Sequence, residues 1–244
     1  MANALTRAVF KVEREELAWP AMTPLQSMAS ILWVPMTFMG LMIAVIVFIF
    51  GGFSANFGAD YFQFPKEVRD TAAAGQSLAN KRVFIETTKV WTDGLQFMGM
   101  GFLLAAITMF LASILGNLRL TGGEVQQAAG RKMLSLNPPW TAKFPFLMLF
   151  GLIILAGHLA LKAVLAFLAH GIYDHSIQEI DGAVAGSAIL SNVQTLQTYL
   201  TWLEPFKFVG IAVMLVGISL ALYTIIRALR FQNDRIQAMA QGAE

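Results

Sequence analysis

Cysteine is absent from this chain. That excludes disulfides, thiolate metal sites, iron–sulfur clusters and cysteine nucleophiles together. Charge is nearly as scarce, at 13% of residues, where a soluble domain carries about 25%. With so little polar surface and a mean hydropathy of +0.62, lipid rather than water must cover most of the exterior. The formal net charge is only +2 and no long basic run occurs, so nothing in the charge points to nucleic acid. Also missing are GxxxxGK[ST], GxGxxG after a strand, HExxH and GxSxG, the signatures of phosphate cradling, dinucleotide binding, zinc hydrolysis and serine nucleophiles. No internal repeat and no low-complexity tract stands out on reading the chain.

What the chain has is long uncharged stretches. A helix crossing a hydrocarbon core of about 30 Å needs about 20 apolar residues. Four segments meet that need, at about 31–53, 94–118, 145–170 and 206–229. Three are free of charge over the hydrocarbon; the third meets Lys162. The expected fold is therefore an all-α integral membrane protein, a four-transmembrane-helix bundle forming one membrane domain over 1–244.

A fifth uncharged stretch, 182–203, is crowded with Ser, Thr, Asn and Gln. Its apolar residues Ile189, Val193, Leu196, Leu200 and Leu203 recur in steps of four and three, one face of a helix. The expectation is an additional amphipathic helix at about 183–203 in the last outer loop, ended by Glu204-Pro205, with that seam docking a partner. At the amino terminus, Leu5, Val9, Val12 and Leu17 suggest a short interfacial helix. The charges from Arg7 to Glu16 argue against a cleaved signal peptide.

Lysine and arginine set the orientation. Arg7, Lys11 and Arg14, then Arg119, Arg131, Lys132 and Lys143, then Arg227, Arg230 and Arg235 place ten on one side. Lys66, Arg69, Lys81, Arg82, Lys89 and Lys207 place six on the other. Both termini are expected in the cytoplasm of a bacterial-type inner (plasma) membrane. The outer connections are then Ser54–Asp93 and Gly171–Pro205, long for a bundle. The connection on the termini side, Asn117–Phe144, is expected to open a short surface helix near Gly122-Gly123.

Small residues four apart let membrane helices approach closely. They occur at Gly101/Ala105, Ala112/Gly116, Ala156/Ala160 and Gly217/Ala221, and fit contacts within the chain or with another subunit.

Few residues carry chemistry. His158 and Lys162 lie four apart within or near the hydrocarbon, where ionisable groups are costly and mark a pathway or a buried partner. No acid lies inside another span, so a partner for Lys162 must come from a loop or another chain. His170, Asp174 and His175 cluster at the outer end of the third span, and imidazole with carboxylate is a metal-ligand chemistry. Gly171 weakens the helical continuity that such a site requires. A bis-histidine haem lacks facing ligands, since no other span holds a histidine. Met36, Met39 and Met42 repeat every third residue, which suits packing better than copper passage.

These residues point to an accessory or structural subunit of a larger membrane complex. Its partners would be lipid and other membrane subunits, and no cofactor is required by the sequence. Two alternatives remain: a metal-dependent membrane oxidoreductase, or a subunit lending ligands to one; and a small transporter or channel using His158 and Lys162.

Overall fold

The structure is a computed structural model that describes residues 14–16, 24–131, 134–136 and 140–241. The amphipathic helix expected from Leu5 to Leu17 falls almost wholly outside these residues. Its described portion, Arg14–Glu16, is instead a three-residue strand, β1. β1 pairs antiparallel with β2, Leu134–Leu136, with Glu15 opposite Ser135. The buried Gln126 side chain fixes β2 by donating to the Leu134 carbonyl at 3.0 Å and accepting from its N–H at 2.7 Å.

Six α-helices make up nearly all the rest: α1 Pro24–Phe62, α2 Lys66–Asp70, α3 Ser77–Ala128, α4 Phe144–Tyr173, α5 Ile177–Asp181 and α6 Ala188–Ala240. A 3₁₀ turn at Trp140–Lys143 leads into α4. The four long helices are each long and apolar enough to cross a membrane, which supports a multi-pass membrane protein. All four far exceed the apolar length a bilayer demands. With no water in lipid to satisfy backbone groups, the helical backbone continues past Pro35 in α1 and Pro205 in α6, although each proline lacks the N–H for one bond of the ladder.

That continuity corrects three expectations. The amphipathic segment at 183–203 is not a separate helix, because Pro205 sits inside α6 and does not end it. Ser54–Asp93 and Gly171–Pro205 are not loops. They are the ends of long helices joined by short turns at 63–76 and 174–187. Nor does a new helix begin near Gly122-Gly123, since α3 runs on to Ala128.

The chain forms two compact units. One, here the turn-end unit, comprises 36–103 and 149–214; the other, the termini-end unit, comprises 1–35, 104–148 and 215–244. In the termini-end unit, Trp33 meets Phe110 edge-on at 5.4 Å, and the buried Thr224 hydroxyl donates to the Thr141 hydroxyl at 2.8 Å. In the turn-end unit, Val90, Leu165, Ala169, Ile172, Leu196 and Leu203 form an apolar core. Val193 and Leu200 pack onto it. Four of the five residues of the seam expected to dock a partner, Val193, Leu196, Leu200 and Leu203, thus pack inside the chain, with Val90 of α3 and Leu165, Ala169 and Ile172 of α4 in the same core. Each leucine buried from water there contributes roughly 1.5–3 kcal/mol, which is why the face turns inward.

The element boundaries also reveal a duplication. α1 ends at Phe62 and α4 at Tyr173; α2 covers 66–70 and α5 covers 177–181; α3 begins at Ser77 and α6 at Ala188. Each of these boundaries recurs 111 residues later. The sequence follows the same offset: Asp70/Asp181, Gly75/Gly186, Trp91/Trp202, Phe97/Phe208, Gly99/Gly210, Ile114/Ile225 and Arg119/Arg230 are identical pairs. The contacts follow it too. A Cβ on Gly40 would meet Leu103, and one on Gly151 would meet Met214, the equivalent position. A Cβ on Gly99 would meet Ile43, and one on Gly210 would meet Leu155 and Ile154, the latter equivalent to Ile43. The chain is therefore two copies, α1–α3 and α4–α6, of a helix–turn–helix unit. Because each copy contains two long helices, both copies run in the same sense, the parallel class of membrane repeat. The reading of the sequence as free of internal repeats is corrected accordingly; at this divergence the period shows only once boundaries and contacts are aligned.

Candidate functional site: a buried charge cluster in the turn-end unit

Three helices change character at one level. The uncharged stretch of α3 starts just after Asp93, that of α4 ends just before Lys162, and that of α6 starts just after Lys207. These three residues meet. Asp93 Oδ2 lies 3.0 Å from Lys162 Nζ, and Asp93 Oδ1 accepts from Lys207 Nζ at 2.8 Å. Lys207 Nζ also lies 2.6 Å from Glu204 Oε1.

Lys162 is therefore paired within its own chain, by an acid on α3. The expectation that its partner lay in a loop or another chain placed Asp93 outside a helix, and α3 extends outward past it. The argument from an unpaired lysine to a neighbouring subunit falls with it. Gly94 makes the pairing possible, since a Cβ there would lie 3.1 Å from Lys162 Cβ and 3.3 Å from Leu159 Cα. Removing one member of such a buried set would strand the others, at about 3–5 kcal/mol.

Aromatic rings close the lower side. Lys207 Nζ sits 4.5 Å from the centre of the Phe97 ring and 5.5 Å from that of Phe208. Phe97 and Phe208, an equivalent pair of the two repeats, meet edge-on at 5.7 Å. A cation over ring faces gains about 0.5–2 kcal/mol, more as water is excluded. His158, one helical turn from Lys162, is fully buried, with its ring 6.4 Å from Phe97. Its Nε2 is 4.0 Å from Asp93 Oδ2, beyond direct hydrogen bonding, and neither ring nitrogen bonds to the protein. His158 and Lys162 are thus brought together with three residues that the sequence did not single out as a site: Asp93, Glu204 and Lys207. The available signal was that all three bracket uncharged stretches.

The other histidines go elsewhere. His170 is exposed near the end of α4, which continues through Gly171 to Tyr173. His175 lies in the following turn, where its Nδ1 is 3.5 Å from Glu179 Oε2 and its carbonyl accepts from Arg82. Arg82 also donates to the Tyr173 carbonyl at 2.6 Å, so the guanidinium satisfies the carbonyls that end α4. Among the described residues no three His, Asp or Glu side chains are grouped to hold a metal. The candidate set His170, Asp174 and His175 does not converge, because His175 turns towards α5.

Glu179 closes a capping box with Ser176. The Ser176 N–H donates to Glu179 Oε2 at 2.9 Å, and the Glu179 N–H donates to Ser176 Oγ at 3.2 Å. The Ser176 backbone bond, then its hydroxyl and His175, hold the Glu179 carboxyl below its ordinary range.

An apolar groove of about 340 Å³ lies between α3 and α4, lined by Thr87, Trp91, Leu159, Ala163, Ala166, Phe167 and His170. Met39 and Met42, of the expected methionine stripe, are exposed on α1. No family model matches this chain, and neither a curated protein nor a solved structure is significantly similar to it.

Proposed function

We propose that this protein is an accessory subunit of a larger complex in a bacterial-type inner membrane, with both termini on the cytoplasmic side, and that α1 is its docking helix. The observation that carries this reading is the exposure of α1. Only 11% of its most apolar window is buried within the chain, against 50% for α3. In the turn-end unit alone, exposed apolar side chains continue along α1 from Phe38 through Val45, Phe48 and Phe53 to Phe62. That is about 36 Å of helix axis at 1.5 Å per residue, against about 30 Å of hydrocarbon. Met28, Ile31 and Val34 extend the exposed face in the termini-end unit. A helix longer than the layer it crosses either tilts within the lipid or finds other cover for its excess. A partner's helices would cover the excess, through van der Waals contact of the kind that drives association in membranes.

The internal pairing of Lys162 and the inward seam remove two of the grounds for a partner, so the proposal rests on α1. The docking proposal is tested by placing a photo-crosslinking residue at Phe48 and extracting the protein in mild detergent from its own membrane. Recovery of a large particle, with one companion chain crosslinked at Phe48, supports the reading. A particle of this chain alone, crosslinked only to lipid, overturns it.

A further inference from the structure

The two repeats allow the chain to be compared with itself. Positions that the fold requires recur: the crossing glycines Gly40/Gly151 and Gly99/Gly210, the turn glycines Gly75/Gly186, and the rings Trp91/Trp202 and Phe97/Phe208. An acid also recurs, as Asp93 and Glu204. His158, Lys162 and Lys207 do not. At the equivalent positions the first repeat has Val47, Gly51 and Gln96, and it packs the same glycine contacts with them. The bases of the cluster therefore occur in the second repeat alone, and the shared fold does not demand them.

Their arrangement has a direction. The side chain of Glu204 is 55% exposed, Lys207 is 6% exposed, Asp93 is 25% exposed and His158 is fully buried. From Glu204 the chain runs 2.6 Å to Lys207, 2.8 Å to Asp93 Oδ1, and from Asp93 Oδ2 4.0 Å to His158 Nε2. Those last two atoms make no direct hydrogen bond, and a polar contact of that length suits one bridging water. The ionisable groups facing His158 are Asp93 from α3, Lys162 from α4, and Glu204 and Lys207 from α6; α1 carries none before Asp60. The cluster holds two acids and two lysines, and a proton on His158 would add one positive charge to it.

We propose that His158 is a proton-binding site, served from the turn-end face through Glu204, Lys207 and Asp93. The proton comes from water, passes the exposed carboxylate, and resides on an imidazole nitrogen; no electron moves. A cluster that served only to staple α3, α4 and α6 would need no imidazole at its inner end. Buried ionisable groups in membrane helices that form a chain to water are characteristic of proton paths.

The test is nuclear magnetic resonance of the full chain in nanodiscs with ¹⁵N-labelled histidine, across about pH 4–9, the window in which imidazoles titrate. His170→Gln and His175→Gln, both at exposed positions, assign the His158 signals by elimination. The expected result is a His158 titration within that window. Asp93→Asn should lower its midpoint by about one unit, a tenfold loss of proton affinity, because a carboxylate favours the imidazolium. If that variant does not fold, Lys207→Gln supplies the second reading. It installs the first repeat's residue and should raise the midpoint, since a positive neighbour is lost. A His158 ring that stays neutral throughout, or a midpoint indifferent to the variant that folds, overturns the proposal.

Discussion

Gly75 and Gly186 both take a left-handed backbone, at φ of 79° and 86°, at the same point of two turns 111 residues apart. Neither has an atom within 4 Å of where a Cβ would stand, so space does not select glycine there; the backbone does. A side chain in that region costs roughly 1–2 kcal/mol. Gly75→Ala and Gly186→Ala should each lower stability by about that amount in detergent, measured by thermal unfolding, and asparagine should cost less. Tolerance of alanine at either position would contradict the need for a left-handed backbone there.

The helix crossings give a sharper contrast. A Cβ on Gly151 would lie 2.9 Å from the Gly210 carbonyl oxygen and 2.3 Å from Met214 Cγ, whereas Gly157, six residues along α4, has nothing within 4 Å. Methionine can move aside but backbone cannot. Gly151→Ala is expected to destabilise by about 1–3 kcal/mol through overpacking. Gly157→Ala should be neutral or stabilising by a few tenths, since alanine is the better helix former. The same thermal assay separates them.

Asp93 is the acid shared by Lys162 and Lys207. Asp93→Ala should cost about 3–5 kcal/mol, because Lys162 is left buried without a counter-charge while Lys207 keeps Glu204. Adding Lys162→Met should recover part of that loss. A double-mutant cycle measures the coupling, and strictly additive effects would show that the pair is not an energetic unit.

Acid should loosen α5. The Glu179 carboxyl is held below the ordinary glutamate value of about 4.5. Its contribution to the cap is therefore complete above about pH 4.5, the unfolded range, and is lost as pH falls through the lower folded value. Hydrogen exchange at the 177–181 amides should accelerate below that point in the natural chain. In Glu179→Gln, whose side chain still caps but does not ionise, the acceleration should vanish.

Membrane residence and the number of crossings were legible in the sequence. They follow from additive quantities: an uncharged run either is or is not long enough to cross hydrocarbon. The seam from Ile189 to Leu203 was also legible as a helical face, because periodicity is local. Its destination was not, since a face that is apolar in isolation packs equally on lipid, a partner or its own chain. Only the placement of Leu165, Ala169 and Ile172 opposite it decided the matter.

The helix ends misled for a related reason. Glu204-Pro205 carries a local stop signal, but tertiary packing and the helical hydrogen bonds on either side keep α6 continuous through it. The charged residues at 54–93 suggested a loop because polarity marks the edge of lipid, and a helix does not have to end where lipid does. The sequence alone determined that four segments are long and apolar enough to cross a membrane and that few charges are set aside. Tertiary structure decided that Asp93 meets Lys162 and Lys207, and that two halves repeat at 111 residues. Those facts depend on side chains distant in sequence converging in space, and no spacing along one helix encodes them.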